Sequence, residues 1–218
     1  MRITAASWLV ADAQGKIIQG ENTSQIRSIA SITKLMTVMV VLDAKQDLDE
    51  QIGKYSRRET IQLALVYSDN TAAKTLCEFY VTGREDCIRA MNIKAKFLGM
   101  ANTSYVEPTG LSVFNVSTAD DLIKLVLKAK DYPAIVEAAH APNIKIKLKR
   151  KWLVFPNTNP IIGQRHEFIV SKTGFINAAG GCIVIMLDTE VGRRIVVVLG
   201  SRNTKTRIPE AEFIAKKY

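Results

Sequence analysis

The chain reads as an α+β protein, with an antiparallel sheet flanked by helices and an all-helical lobe inserted between the first strands and the last. Three observations carry that reading. Residues 3–12 and 16–20 are short apolar runs joined at Gln14-Gly15, the composition of a hairpin. From Glu167 onward the pattern is again that of strands (EFIVSKTGF, GGCIVIMLD and RRIVVVLGS), separated by turns that carry glycine. Between these groups the periodicity is mostly helical, so strands from both ends of the chain complete one sheet.

Each element has its own justification. The polar stretch ENTSQIRS leads to Ser31, and residues 32–44 (ITKLMTVMVVLDA) are apolar almost all round, which predicts a helix buried on every side. Residues 57–67 place Ile61, Leu65 and Val66 on one helical face and stop at Ser68-Asp69-Asn70, after which a second helix runs over 71–80. Residues 84–98 form a helix closed by Gly99, with cations in its last turns as the helix dipole favours. EPTGLSVFNVSTADDL at 107–122 is a turn-rich loop and then a helix start, N-capped by Ser117 or Thr118, with helix continuing to about His140. Pro156 and Pro160 break the segment 144–164 into a loop with a hairpin, and a last helix covers about 205–217. The expected organisation is one catalytic domain over 1–218, with a sheet lobe at about 1–28 and 166–218 and a helical lobe at about 29–165.

Composition narrows the partners. With 218 residues, 47% hydrophobic and 23% charged, the chain can bury one sizeable core. A net charge of +9 suits anionic surroundings such as nucleic acid, a membrane surface or an acidic wall polymer. KIKLKRK at 145–151 alternates basic and apolar residues at period two, which is the pattern of a half-solvated strand. No aromatic stacking set accompanies it, so no nucleic-acid partner is expected. Cys77, Cys87 and Cys182 form no C-x-x-C; buried thiols are the default reading, and a Cys77 to Cys87 bridge in an oxidising compartment is left open. With only His140 and His166, each read as a surface or packing residue, a multi-histidine metal site is excluded and no cofactor is expected. The opening MRITAASWLVADAQGK reads as a first strand rather than a signal peptide, and no run has the length of a transmembrane segment.

The chemistry concentrates in three short motifs. Ser31 and Lys34 in SITK are three residues apart, so on a helix they share a face and the amine lies beside the hydroxyl. SDN at 68–70 and KTG at 172–174 follow in that order. One S-x-x-K is expected by chance in a chain of this length, whereas the ordered trio is on the order of one in a thousand. Ser31 is the candidate nucleophile and Lys34 its base. An ordinary lysine is neutral in only about one molecule in 2,500 at pH 7, so burial and a second cation, Lys172, are expected to lower its pKa. Ser68 is read as a proton relay between Lys34 and the leaving amine, and Asn70 as an amide offered to the substrate backbone. Lys172 and Thr173 would meet a substrate carboxylate, Gly174 would leave substrate room beside the strand, and the backbone N–H groups of Ser31 and Phe175 would form an oxyanion hole. By itself SDN fits a helix stop and N-cap better than a site, and the presence of SITK and KTG reverses that order.

SITKLMT, SDNTAA, EPTGLS with NVSTADDL, FPNTNP and SKTGF together resemble the low-molecular-mass penicillin-binding proteins, the D-alanyl-D-alanine carboxypeptidase/endopeptidase family. The likeness runs over nearly the whole chain and is greatest to endopeptidases of the penicillin-binding protein 7 type. The resemblance implies the penicilloyl-serine transferase fold and an acyl-enzyme on Ser31. It also implies peptidoglycan stem peptides as substrates, β-lactams as covalent inhibitors, and a periplasmic or cell-wall-facing location, although no signal peptide is read here. Serine β-lactamases share the three motifs, but class A enzymes deacylate with a glutamate in an E-x-x-L-N run, and the chain has none. Carboxypeptidase activity, β-lactamase activity and a non-catalytic penicillin- or wall-binding module are the alternatives.

Overall fold

A computed structural model of the chain describes residues 1–164 and 167–218. Strands β1 (Ser7–Ala11) and β2 (Ile17–Glu21) pair as an antiparallel hairpin, with Gly15 at φ +84° in the turn. The short strand β3 (Arg27–Ser28) leads into a single 3-10 turn, Ala30–Ile32, and directly into helix α1 (Thr33–Asp43). Next come β4 (Gln51–Ile52), β5 (Tyr55–Ser56) and α2 (Arg57–Gln62), which opens with a capping box between Ser56 and Glu59. A π-helical turn, Leu63–Tyr67, precedes α3 (Asn70–Glu78) and α4 (Arg84–Phe97). Strand β6 (Val116–Ser117), α5 (Ala119–Ala129), α6 (Pro133–His140) and the hairpin β7 (Asn143–Leu148) with β8 (Lys151–Pro156) complete the insert. The chain closes with β9 (Phe168–Ile176), β10 (Gly180–Thr189), β11 (Gly192–Ser201) and α7 (Arg207–Lys217).

The two ends do meet in one sheet, ordered β2-β1-β11-β10-β9 with every neighbouring pair antiparallel. Because successive side chains of a strand point to opposite faces, the uninterrupted apolar runs of β1, β10 and β11 fill two cores. On one face Trp8, Val10, Ile185 and Val198 pack with Ile208 and Ile214 of α7. On the other, Leu9, Val184, Met186 and Val197 join the core that surrounds α1 and α5. Strand β9, which carries KTG, is an outer strand of the sheet and packs against the 3-10 turn before α1.

Helix α1 needs no apolar stripe because it has no wet side. Leu35, Met36, Val38 and Met39 are all fully buried. Burial of such side chains contributes about 1.5–3 kcal/mol each, so Lys34, in the first turn, rides on one of the most firmly anchored elements of the molecule.

The structure differs from expectation in three places. The inserted lobe is not purely helical, since it also holds the two-stranded ladders β3–β6, β4–β5 and β7–β8. The helix expected over 57–67 is α-helical only to Gln62 and widens to a π turn before Ser68. The helical stretch to His140 is two helices, because Pro133 cannot continue the first and instead starts the second. Thr118 rather than Ser117 caps α5, accepting from Asp121 N. On β7, Ile144 and Ile146 are buried while Lys145 and Lys147 are exposed, the half-solvated pattern of its sequence. His166, and with it the expected lobe boundary at 165/166, lies outside the described residues.

The question left open by the cysteines is answered by a Cys77–Cys87 disulfide joining α3 to α4, with Cα atoms 5.4 Å apart, while Cys182 is a buried free thiol. The bridge closes a loop of 10 residues. Its reduction, or the Cys77→Ala/Cys87→Ala pair, is expected to lower the unfolding free energy by about 2–3 kcal/mol through loop-closure entropy. Denaturant titration with and without reductant measures this directly.

Candidate active site

Ser31 sits in the 3-10 turn and Lys34 one turn further on, so local helical geometry alone brings amine to hydroxyl. Lys34 Nζ donates to Ser31 Oγ at 2.9 Å, to Asn70 Oδ1 at 2.7 Å and to the Thr109 carbonyl at 2.7 Å. Three donors meet three acceptors, which is full satisfaction for an ammonium that is 0% exposed. Burial brings its pKa down to about 8, against the opposing pull of Glu107 and Asp69.

The second motif does two jobs. At the end of the π turn Ser68 adopts a left-handed conformation (φ +61°), and the N–H groups of Ser68 and Asp69 both donate to the Leu63 carbonyl. Asp69 then N-caps α3 by accepting from Ala72 N at 2.7 Å. The helix-stop reading of SDN therefore holds for Asp69, while Ser68 and Asn70 on either side of it reach the lysines.

The lysine of the third motif closes the other side. Lys172 Nζ donates to Ser68 Oγ at 2.8 Å and to the Thr173 carbonyl at 3.0 Å. In this structure Ser68 is thus engaged by Lys172 rather than by Lys34. Thr173 Oγ1 donates to Thr158 Oγ1 at 2.7 Å, and Thr158 N donates to the Val66 carbonyl, so the segment after β8 ties the sheet edge to the π turn. Burial, then the charges of Lys34 and Arg207, holds Lys172 well below the usual lysine range. The lowered Lys34 pKa is as expected, with burial its leading cause, and the repulsion between the two ammonium groups is mutual.

Glu107 and its loop form the part of the site not foreseen. The Glu107 carboxylate accepts from the N–H groups of Thr109 and Gly110 at 2.6 Å each and of Ser112 at 3.2 Å, from the Thr109 hydroxyl at 2.6 Å, and from Asn115 Nδ2 at 3.0 Å. Asn115, fully buried, also donates to the Glu107 carbonyl and to Thr33 Oγ1 and accepts from Val106 N. These side chains satisfy backbone groups that have no helix or sheet to pair with. The result is a fixed loop that presents the Thr109 carbonyl to Lys34.

That loop also clamps the turn that carries Ser31. A Cβ on Gly110 (φ +86°) would overlap the Ala30 carbonyl, and one on Gly174 would lie 2.9 Å from Ser31 N. The space left by Gly174 is therefore filled by the turn that carries Ser31, where expectation put the substrate. Ala30 itself sits at φ +48°. A non-glycine residue there costs about 1–3 kcal/mol and persists only where its surroundings enforce it. The two glycine contacts supply that enforcement.

Gly110→Ala is accordingly expected to displace the Ser31 turn. The outcome should be a loss of about 2–3 kcal/mol in stability and Ser31 labelling by benzylpenicillin slowed about 100-fold; thermal melts and labelling kinetics check the two effects.

Comparison with known proteins agrees with this geometry. The family profile of peptidase family S11, D-alanyl-D-alanine carboxypeptidase, matches residues 1–52 and 47–203. The D-alanyl-D-alanine endopeptidase of Pseudomonas aeruginosa is 38% identical over 233 aligned residues, covering 96% of this chain and 75% of that protein. The D-alanyl-D-alanine endopeptidase of Escherichia coli is 41% identical over 207 residues, 84% of this chain and 67% of that one. Penicillin-binding protein D2 from Listeria monocytogenes, solved in its ampicillin-bound form, shares the fold with a TM-score of 0.89 at 27% identity, over 99% of this chain and 97% of that one. A fold match across the full chain and a family match that takes in all three motifs place this chain in the D-alanyl-D-alanine carboxypeptidase family, the serine peptidases of family S11.

Proposed function

We propose that this protein is a serine D,D-peptidase that cuts D-alanyl bonds of peptidoglycan stem peptides through an acyl-enzyme on Ser31, acting chiefly as an endopeptidase on cross-links. The observation that carries the proposal is a fully buried lysine amine 2.9 Å from a half-buried serine hydroxyl. With a pKa near 8, about a tenth of Lys34 is neutral at pH 7, roughly two orders of magnitude more than for an ordinary lysine.

In acylation Lys34 takes the Ser31 proton while Oγ forms a bond to the D-alanyl carbonyl carbon. The N–H groups of Ser31 and Phe175 receive the developing oxyanion, each worth about 3–4 kcal/mol in the transition state. The C–N bond then breaks. The amine leaves with a proton from Ser68, whose oxygen is refilled from Lys172. A substrate carboxylate beside the leaving amine favours the charged form of Lys172, so Lys172 is an acid while that group is bound. Once the group departs, Lys172 returns to its lowered pKa and, through Ser68, takes a proton from the incoming water. Water attacks the ester, and Oγ leaves with the proton held on Lys34. Protons balance over the cycle. The relay thus runs from Lys172, the partner Ser68 has here, rather than from Lys34.

The preference for cross-links rests on the two relatives named as endopeptidases, and the family description favours carboxypeptidase activity as the second reading. The disulfide suits an oxidising, cell-wall-facing compartment. Among the described residues no helix is long and apolar enough to cross a membrane. Glu107 spends its carboxylate on its own loop, and with no E-x-x-L-N run the chain has no evident glutamate base for releasing penicillin.

Five measurements test the proposal. Purified protein is expected to convert cross-linked muropeptide dimers to monomers; release of free D-alanine from pentapeptides alone would favour the carboxypeptidase reading. Ser31→Ala should lower kcat by about 10^6, and benzylpenicillin should acylate Ser31 and stay, with rapid turnover pointing to a β-lactamase. Because Lys34 must be neutral to act, the acylation rate should rise with pH and level off above about 8. In Glu107→Gln, which removes an anion that raises the Lys34 pKa, the midpoint of that rise should move to lower pH.

A further inference from the structure

We infer that Arg207, on the C-terminal helix α7, is a positioning residue for the oxyanion site, holding and polarising the peptide unit that ends in the Phe175 N–H. The inference rests on the acyl-enzyme reading above. Arg207 Nη1 donates to the Gly174 carbonyl at 2.6 Å, and the residue is only 7% exposed. No cis peptide bond occurs among the described residues, so the Gly174–Phe175 unit is trans, and in a trans peptide the N–H points opposite to the C=O. A guanidinium fixed on the Gly174 oxygen therefore aims the Phe175 N–H away from α7. A Cβ on Gly174 would lie 2.9 Å from Ser31 N, so this stretch of β9 runs directly against the turn that carries Ser31.

The same contact changes the strength of that donor. A charge-assisted hydrogen bond to an amide oxygen draws electron density along the peptide and makes its N–H a better donor, the more so where the dielectric is low. Arg207 acts on the reacting carbonyl only through this peptide and touches no substrate atom.

What Arg207 lacks points the same way. Its Nε is buried with no acceptor among the described residues, and its guanidinium makes no carboxylate contact there. Glu210, one turn along α7, gives Oε1 to the Thr4 N–H and hydroxyl instead. Cys182 beside it is a thiol that burial keeps neutral, and the charge coupled to it is that of Lys172, a second cation that repels rather than compensates it. A buried cation without a counter-ion is destabilising, so folding stability alone would favour an apolar side chain here. A role in the site accounts for its presence.

The test is infrared difference spectroscopy of the penicilloyl-Ser31 ester, with acylation kinetics, in the parent protein, Arg207→Met and Arg207→Lys. In Arg207→Met the ester carbonyl stretch is expected at higher wavenumber, since its hydrogen bonds weaken, and acylation should slow about 10- to 100-fold, less than the loss of a whole donor. Lysine, still a cation, should restore part of both. An unmoved stretch in a methionine variant with parental circular dichroism would overturn the inference. So would a defect confined to KM for peptide substrates, which would make Arg207 a reader of the substrate carboxylate. Should the methionine variant not fold, the lysine variant decides alone: a stretch shifted upward supports the inference and an unshifted one overturns it. A parent protein that forms no Ser31 adduct would overturn the acyl-enzyme reading and this inference together, whereas an adduct with an unmoved stretch overturns the inference only.

Discussion

The structure turns on an ammonium group buried in the first turn of an apolar helix. Desolvation disfavours the charge on Lys34, and the molecule answers with three acceptors and two nearby carboxylates. Neither side wins outright. The amine is left with a pKa near 8, close enough to neutrality to accept a proton and charged often enough to return one. Burying the same lysine without Glu107 and Asp69 would push the balance further toward the neutral amine. Lys172 shows that outcome, because it is equally buried and the charges acting on it are cations.

Holding such a group requires rigid surroundings, and the chain obtains them from the buried side chains of α1 and from close backbone contacts around Ser31. Ala30 is kept in a left-handed conformation between Gly110 and Gly174, neither of which could carry a side chain. The loop supplying Gly110 is itself held by the Glu107 carboxylate and the buried Asn115 amide. Strain at Ala30 and the hydrogen bonds of the loop thus belong to one device. The loop presses on the turn, the turn orients Ser31, and the Thr109 carbonyl of the same loop takes one proton of Lys34.

The sheet contributes direction. As an outer strand, β9 has no sheet neighbour on one side among the described residues. Contacts from both sides fix its position. The Thr158 hydroxyl receives Thr173 from the helical lobe, and Arg207 grips the Gly174 carbonyl from α7.

Much of this was legible from residue order. Helical periodicity is local, so the three-residue step from Ser31 to Lys34 sufficed to put amine beside hydroxyl, and the apolar run after it sufficed to bury both lysine and helix. Strand patterns at the two ends implied one sheet. Contacts between distant segments were not legible. Lys34 to Thr109 spans 75 residues, Lys172 to Ser68 spans 104 and Arg207 to Gly174 spans 33, with no periodicity linking the partners. Glu107 looked like one acid in a turn-rich loop, and Gly174 like room for a ligand, until the turn that carries Ser31 filled the space beside it. Residue type and spacing determined which groups share a helix face or strand. Which charges act on each lysine, and which backbone groups press on Ser31, depended on how the lobes dock, because those interactions are decided by through-space distance and burial.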